Sequence, residues 1–296
     1  MIFKGSGVAL VTPFNSDGNV NFEKLDELIT YHIANNTDAL IICGTTGEGS
    51  TLSLKEKEEI FQYVYNKANK KIKLIAGTGS NNTKDAILLS KYAATLGYDG
   101  ILVVTPYYNK CSNEGAFLHY KAISDAIKDY DTKIILYNVP SRTGFDLNID
   151  TITRLAKLKN IVAIKEAKPD LSKISKIINL TKNLDFDLYS GNDDLILPIL
   201  SVGGIGVISV MANIMPEKIH NLCYSYFSNN QVISLRLHNE MQDLTEAVFS
   251  DVNPIGIKYA MNKLGFNVGN TRLPLSLPNS TTTNLIDNLL EENKYM

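Results

Sequence analysis

Leu74-Ile75-Ala76-Gly77-Thr78, then Ala86, Leu89, Ala93 and Leu96 at helical spacing, then Ile101-Leu102-Val103-Val104-Thr105: residues 74–105 read as strand, helix, strand. Two short strands joined through a helix pair in parallel. Outward from this unit, apolar runs of the same kind occur at 8–14, 39–43, 134–139, 161–167, 188–191 and 206–211, eight in all, and most intervals hold one helical pattern. The runs are nearly continuously apolar, as strands covered on both faces are. Eight such repeats predict an α/β protein closed into a (β/α)8 TIM barrel, with helices outside and side chains packed inside.

Helix starts are marked by their chemistry. Ser53-Leu54-Lys55-Glu56 is a capping-box pattern, and Thr83 and Asp150 are candidate caps. Past the eighth run only helical patterns remain, at 216–227, 231–249, 254–263 and 283–292. They predict the last barrel helix and a C-terminal helical appendage, dividing the chain into a catalytic barrel, 1–226, and a helical region, 227–296. With no Pro/Gly/Ser-rich linker between them, the appendage is expected to pack on the barrel. A doubly wound dinucleotide fold would need G-x-G-x-x-G after the first strand. That strand ends in Thr12-Pro13-Phe14-Asn15, and neither 44–49 nor 204–206 fits the fingerprint.

Of the 296 residues, 44% are hydrophobic and 20% charged, which supplies a large core. The formal net charge of -2 and the dispersed lysines leave no footprint for nucleic acid, so a small-molecule ligand is expected. Three widely spaced cysteines and an N-terminus without a signal-peptide pattern point to the cytoplasm. Residues 195–215 carry no charge, but Pro198, Gly203, Gly204 and Gly206 interrupt them. This predicts a buried helix, a glycine turn and a strand rather than a membrane span.

In such a barrel the active site is built at the C-terminal strand ends. Four polar clusters fall there: Gly44 to Glu48, Thr105 to Tyr108, Tyr137 to Gly144, and Lys165-Glu166. Lys165 follows Ile161-Val162-Ala163-Ile164. Pointed into the barrel mouth, its amine would be desolvated, which disfavours the ammonium form and favours condensation with a carbonyl. Pointed outward, it would simply reach water. Tyr137 lies on the adjacent strand at a comparable height, where its phenol could carry the protons that Schiff-base chemistry moves; a core tyrosine bonded to a backbone group is the plainer alternative. Thr45 and Thr46, set between glycines, offer hydroxyls and N–H groups to a carboxylate, although a tight turn would need the same glycines. Arg142 offers a planar fork to a second carboxylate, or is an exposed loop arginine. His32, His119, His220 and His238 are scattered and the cysteines form no C-x-x-C pair, so no metal and no cofactor is expected. A serine hydrolase is disfavoured by the lack of G-x-S-x-G.

Gly44-Thr45-Thr46-Gly47-Glu48, Tyr137-Asn138-Val139-Pro140-Ser141-Arg142-Thr143-Gly144 and Lys165-Glu166 together resemble, in order and spacing, the pyruvate-dependent class I aldolase and N-acetylneuraminate lyase family, over nearly the whole chain. The resemblance implies a Schiff-base-forming carbon-oxygen lyase. It would condense pyruvate with L-aspartate 4-semialdehyde to 4-hydroxy-tetrahydrodipicolinate, the first committed step of diaminopimelate and lysine biosynthesis. By motif, Lys165 is implied as the Schiff-base lysine, Tyr137 as a proton relay linked through Thr45 to Tyr108, and Thr46 as the ligand of the pyruvate carboxylate. Arg142 would bind the carboxylate of the aldehyde, and Gly191 and Ile208 would line the pyruvate pocket. Tyr108 would enter a neighbouring subunit's site, which implies an obligate dimer, commonly paired into a homotetramer. N-acetylneuraminate lyases and keto-deoxy sugar acid aldolases share the lysine, but the threonine pair and Arg142 follow the synthase pattern. A catalytically silent keto-acid-binding barrel is an alternative of a different class, disfavoured because the lysine, tyrosine, threonine and arginine are all present. Lysine-inhibited members tend to carry a histidine where Lys57 stands. A second cation there would repel a lysine effector, so insensitivity to lysine is expected.

Overall fold

The computed structural model describes residues 1–292. Eight parallel strands, β1 (Gly5–Ala9), β2 (Ala39–Ile42), β3 (Lys73–Gly77), β4 (Gly100–Val104), β5 (Lys133–Asn138), β6 (Ile161–Glu166), β7 (Asp187–Ser190) and β8 (Gly206–Ser209), pair in chain order and close β8 onto β1. A Cβ at Gly206 would come within 2.2 Å of the Gly5 carbonyl oxygen, so this seam has room only for glycine. Alternate residues of each strand face inward. Ile41, Ile75, Leu102, Ile135, Ala163 and Ile208 fill the barrel, while Leu40, Ile101, Ile134, Leu136, Ile164 and Val207 join the core shared with the outer helices. Both faces are dry, which is why the strands read as unbroken apolar runs. Below the mouth, the Phe3 ring stacks on Tyr189 at 4.4 Å, and the Tyr189 hydroxyl donates to the Phe3 carbonyl at 2.7 Å.

The strand expected at 8–14 is instead β1 at Gly5–Ala9. Its pairing with β8 starts at Gly5; beyond Leu10, whose N–H still reaches the Ile41 carbonyl at 3.0 Å, the chain leaves the sheet. The Val11 N–H donates to Asn213 Oδ1 at 3.2 Å and the Phe14 N–H to the Val268 carbonyl at 3.0 Å. Residues 10–14 are apolar because this connection is buried, and hydrophobicity alone does not separate a buried connection from a buried strand. Asn82 and Asn148, not Thr83 and Asp150, cap their helices, one and two residues upstream. Ser53 and Glu56 form the expected box. The helix expected at 231–249 is two, Gln231–Glu240 and Gln242–Phe249, with buried Met241 between them. Residues 195–215 hold the helix Ile196–Ser201, β8 and the 3-10 turn Met211–Asn213. No helix among the described residues is long and apolar enough to cross a membrane. Within the helical region expected at 227–296, residues 293–296 lie outside the described ones.

The C-terminal helices are fastened to the barrel by apolar contact and by charge. Val248, Ile257, Ala260 and Met261 join the main core. Lys258, on the helix Ile255–Lys263, is buried; it donates to Glu48 at 2.8 Å and to the Asn270 carbonyl at 3.0 Å, with its ammonium 4.2 Å from the Phe14 ring centroid. The Arg272 N–H donates to the other Glu48 oxygen at 2.8 Å, and the Arg272 guanidinium pairs with Glu56, holding its carboxyl at about 2. Burial pulls the Lys258 pKa down, and Glu48 opposes.

Two predictions follow from this packing. Lys258→Met leaves the Glu48 charge buried and short of a partner, so it is expected to cost about 3–5 kcal/mol in urea unfolding, most of it recovered by adding Glu48→Gln. Equal losses in the single and double variants would show that the pair is not the cause. The second concerns His32 and His119, both buried, with Nδ1 at 2.9 Å from the hydroxyls of Thr37 and Thr83 respectively. Burial lowers their pKa values to about 3 and about 4. As pH falls below ~6.5 the unfolded chain takes up protons that the folded chain refuses, so stability falls with pH, by about 2 kcal/mol for His32 between pH 8 and pH 5. A His32→Gln variant is expected to have a pH slope flatter by that amount, and identical slopes would refute it.

Candidate active site

Register and alternation place the reactive pair. β5 and β6 pair Tyr137 with Lys165 and Asn138 with Glu166. Ile135 and Ala163 face the interior, so Tyr137 and Lys165, two residues on, do so too. Both are buried, and Lys165 Nζ lies 4.5 Å from the Tyr137 ring centroid. Asn138 and Glu166 take the outward direction, where Asn138 Nδ2 donates to the two Glu166 oxygens at 2.8 and 3.0 Å. Glu166 also accepts from the Lys168 N–H at 2.9 Å and pairs with Lys173 at 3.3 Å. Burial pushes its carboxyl up, and Lys173 opposes.

After β2 the chain makes a tight turn. Cys43 and Glu48 take left-handed backbone, at φ 55 and 53, and the Gly49 N–H closes on the Gly44 carbonyl at 3.0 Å. A Cβ at Gly49 would sit 2.2 Å from the Cys43 oxygen, so the turn needs glycine there. This geometry sets Thr45 and Thr46 at the barrel mouth, and the ion pair of Glu48 with Lys258 anchors the same turn from outside.

A cavity of about 210 Å³ opens at this mouth, and Lys165, Tyr137, Thr45, Thr46, Arg142 and Gly191 all line it. Arg142 lies on the helical turn Pro140–Thr143, closed by Gly144 at φ 67, and its guanidinium donates to the Asn253 carbonyl at 3.0 Å. Ile208 packs deeper, in the interior cluster, while Val210 supplies the cavity wall beyond the end of β8. Tyr108 stands outside the cavity: it is 88% exposed, at φ 71, with its N–H 3.4 Å from the Thr143 carbonyl. Its neighbour Tyr107 lines an adjoining cavity of about 410 Å³ together with Thr45, Tyr137, Lys57 and Asp85.

Three residues absent from the sequence-based expectations shape the site. Asn253 Nδ2 donates to Thr46 Oγ1 at 3.0 Å. Lys258 secures the threonine turn through Glu48. Asp193, fully buried after β7, accepts from the N–H groups of Val210 and Met211 at 2.9 and 3.4 Å and from Ser209 Oγ, which ties the ends of β7 and β8 together. Burial pushes its carboxyl up; those hydrogen bonds and the charge of Lys165 oppose. A lysine among Ile257, Ala260 and Met261 is a signal the sequence does offer for Lys258. Asn253, 207 residues from Thr46, offers none. Among the described residues no group of three or more His, Cys, Asp or Glu side chains could hold a metal ion.

Residues 2–292 match the family model described as the dihydrodipicolinate synthetase family. The chain is 53% identical over 274 residues to 4-hydroxy-tetrahydrodipicolinate synthase 1 of Clostridium acetobutylicum, spanning 93% of this chain and 92% of that relative. Its fold is similar to that of a solved monomeric dihydrodipicolinate synthase variant, with a TM-score of 0.95, 42% identity and coverage of 100% of this chain and 98% of the other. It is equally similar to dihydrodipicolinate synthase from Cyanidioschyzon merolae with lysine bound, at a TM-score of 0.95, 39% identity and coverage of 100% and 99%. With the match running almost end to end over a barrel of the same architecture, the chain belongs to the dihydrodipicolinate synthetase family.

Proposed function

We propose that the chain condenses pyruvate with L-aspartate 4-semialdehyde, with loss of water, to give 4-hydroxy-tetrahydrodipicolinate, at the head of diaminopimelate and lysine biosynthesis in the cytoplasm. The observation that carries this reading is the Lys165 amine beside Tyr137 in a cavity that also holds two threonines and a guanidinium. The amine adds to the keto carbon of pyruvate; the carbinolamine loses water to an iminium, and loss of a methyl proton gives an enamine. The enamine carbon attacks the aldehyde carbon, forming the new C–C bond while the aldehyde oxygen takes a proton. The amino group of the second substrate then attacks the iminium carbon, closes the ring and releases Lys165.

Tyr137 carries protons between the reacting atoms and, through Thr45 and Tyr108, to solvent. Thr46 holds the carboxylate of pyruvate, and Arg142 that of the aldehyde. Gly191 shapes the pyruvate end of the cavity, with Ile208 in the layer below. These groups come from the barrel, residues 1–226, and the helical region, described over 227–292, supports them. Tyr108 projects away from its own cavity, and a tyrosine at positive φ needs surrounding structure to hold it. Both facts support its entry into a neighbouring subunit's site, in a dimer that pairs into a homotetramer. Lys57, half-buried at the adjoining cavity, places a cation where a lysine effector would have to be met, which supports insensitivity to lysine.

Turnover of the two substrates, coupled to a pyridine-nucleotide reductase that consumes the product, is expected in the wild type, absent in Lys165→Ala, and flat as L-lysine is added. Borohydride with pyruvate alone should add mass to the wild type only; trapping without turnover would keep the Schiff base and move the function to another aldehyde. For the assembly, mixed Lys165→Ala and Tyr108→Phe chains are expected to regain roughly a quarter of the wild-type rate, because half of random dimers then carry one intact site. No recovery on mixing would place Tyr108 outside its neighbour's site.

A further inference from the structure

Two segments from different strands wall the cavity around Lys165: Gly191 and Asn192, which follow β7, and Val210, which follows β8. β7 and β8 pair over Tyr189 with Gly206 and Ser190 with Val207, so both segments lie past the end of the ladder between them. Each is tied to its other neighbour. On the β6 side, the Gly191 N–H donates to the Glu166 carbonyl at 2.8 Å and Asn192 Nδ2 to the Ala167 carbonyl at 3.3 Å. On the β1 side, buried Asn213 donates from Nδ2 to the carbonyls of Val210 and Ala9, both at 2.9 Å, and accepts from the Val11 N–H at 3.2 Å. These bonds leave the spacing across the β7–β8 seam unset.

Asp193 spans it. The residue follows Asn192 directly, is 1% exposed, and turns both carboxylate oxygens across the seam. Oδ1 accepts from Ser209 Oγ, and Oδ2 from the N–H groups of Val210 at 2.9 Å and Met211 at 3.4 Å. Ser209 Oγ accepts in turn from the Ala212 N–H at 2.8 Å. A buried carboxylate is costly, and an apolar side chain would fill the space with less loss of stability. What the carboxylate adds is a fixed span between the two walls, since its bonds reach the backbone of Val210 itself. In the reaction proposed above, on which this step rests, the keto acid on Lys165 is confined between those walls. We infer that Asp193 is a positioning residue that sets the width of the keto-acid end of the cavity, so that the site takes pyruvate and discriminates against the homologue with one more methylene, 2-oxobutyrate.

The test measures KM for pyruvate and Ki for 2-oxobutyrate as its competitor; their ratio does not depend on how much of the protein is folded. The wild type is expected to favour pyruvate by roughly tenfold or more, as a pocket closed around one methylene does, and Asp193→Ala to lower that preference roughly tenfold. Asp193→Asn keeps an acceptor for the N–H groups and can donate to Ser209 Oγ, so it removes the charge, keeps the span and is expected to hold the wild-type preference. Should Asp193→Ala not fold, Ser209→Ala removes one of the three bonds across the seam and is expected to lower the preference about threefold. An unchanged ratio in whichever of these two folds, with both keto acids weakened alike, overturns the inference and leaves the reaction standing. A fall in Asp193→Asn as large as in Asp193→Ala overturns it equally, because the effect would then belong to the charge. If borohydride traps no pyruvate on wild-type Lys165, the proposed reaction itself fails, and that is visible before any variant is made.

Discussion

A side chain on a barrel strand has two directions, and the register of β5 against β6 commits Tyr137 and Lys165 to the inside. A slip of one residue would exchange them for Asn138 and Glu166. The outward pair resists that slip, because Glu166 is fully buried and satisfied by Asn138, the Lys168 N–H and Lys173. Lys173 and Lys168 are themselves paired with Asp146. Moving Glu166 inward would strip a buried carboxylate of these partners, which costs far more than the strand pairing it would gain. The polar network behind the strands therefore holds the reactive pair in front of them.

The barrel mouth depends just as heavily on residues distant in the chain. The Thr45-Thr46 turn is shaped locally by glycine geometry, but three contacts from the helical region determine where it sits: Lys258 and the Arg272 N–H on Glu48, and Asn253 on Thr46. A buried ion pair contributes little net stability relative to a well-packed apolar pair. Its value here is geometric, since a turn that presents hydroxyls to a ligand must be held to a fraction of an ångström, and loops are not held by themselves. The appendage is thus part of the site although its own cavity-lining side chains are few.

What was legible in the sequence was local. Periodicity finds all eight strands, and the Ser53 capping box appears as written. β1 is displaced because Gly5-Ser6-Gly7 lacks apolar character, while residues 10–14 have it for another reason, burial beneath later segments. Thr83 and Asp150 have the right chemistry for caps, but Asn82 and Asn148 stand slightly upstream and take the bonds. At the site, strand-end motifs suffice to gather Lys165, Tyr137, the threonines and Arg142 around one cavity, and Gly191, implied by the family resemblance alone, lines it too. Ile208 is read onto the right strand but sits a layer below the cavity wall. The partners of Lys258 and Asn253 escape because they are 210 and 207 residues away, a separation that no pattern in one sequence encodes.

The distribution of charge fits a nitrogen that becomes an iminium cation twice in the proposed reaction. The iminium on Lys165 carries the same charge as an ammonium, so the buried carboxyl of Asp193, which feels the Lys165 charge, serves both. A second cation beside that nitrogen would oppose the iminium, and the group assigned to the pyruvate carboxylate is accordingly a neutral hydroxyl, Thr46. The full charge of Arg142 stands at the exposed rim, where it can select a carboxylate without disturbing the iminium.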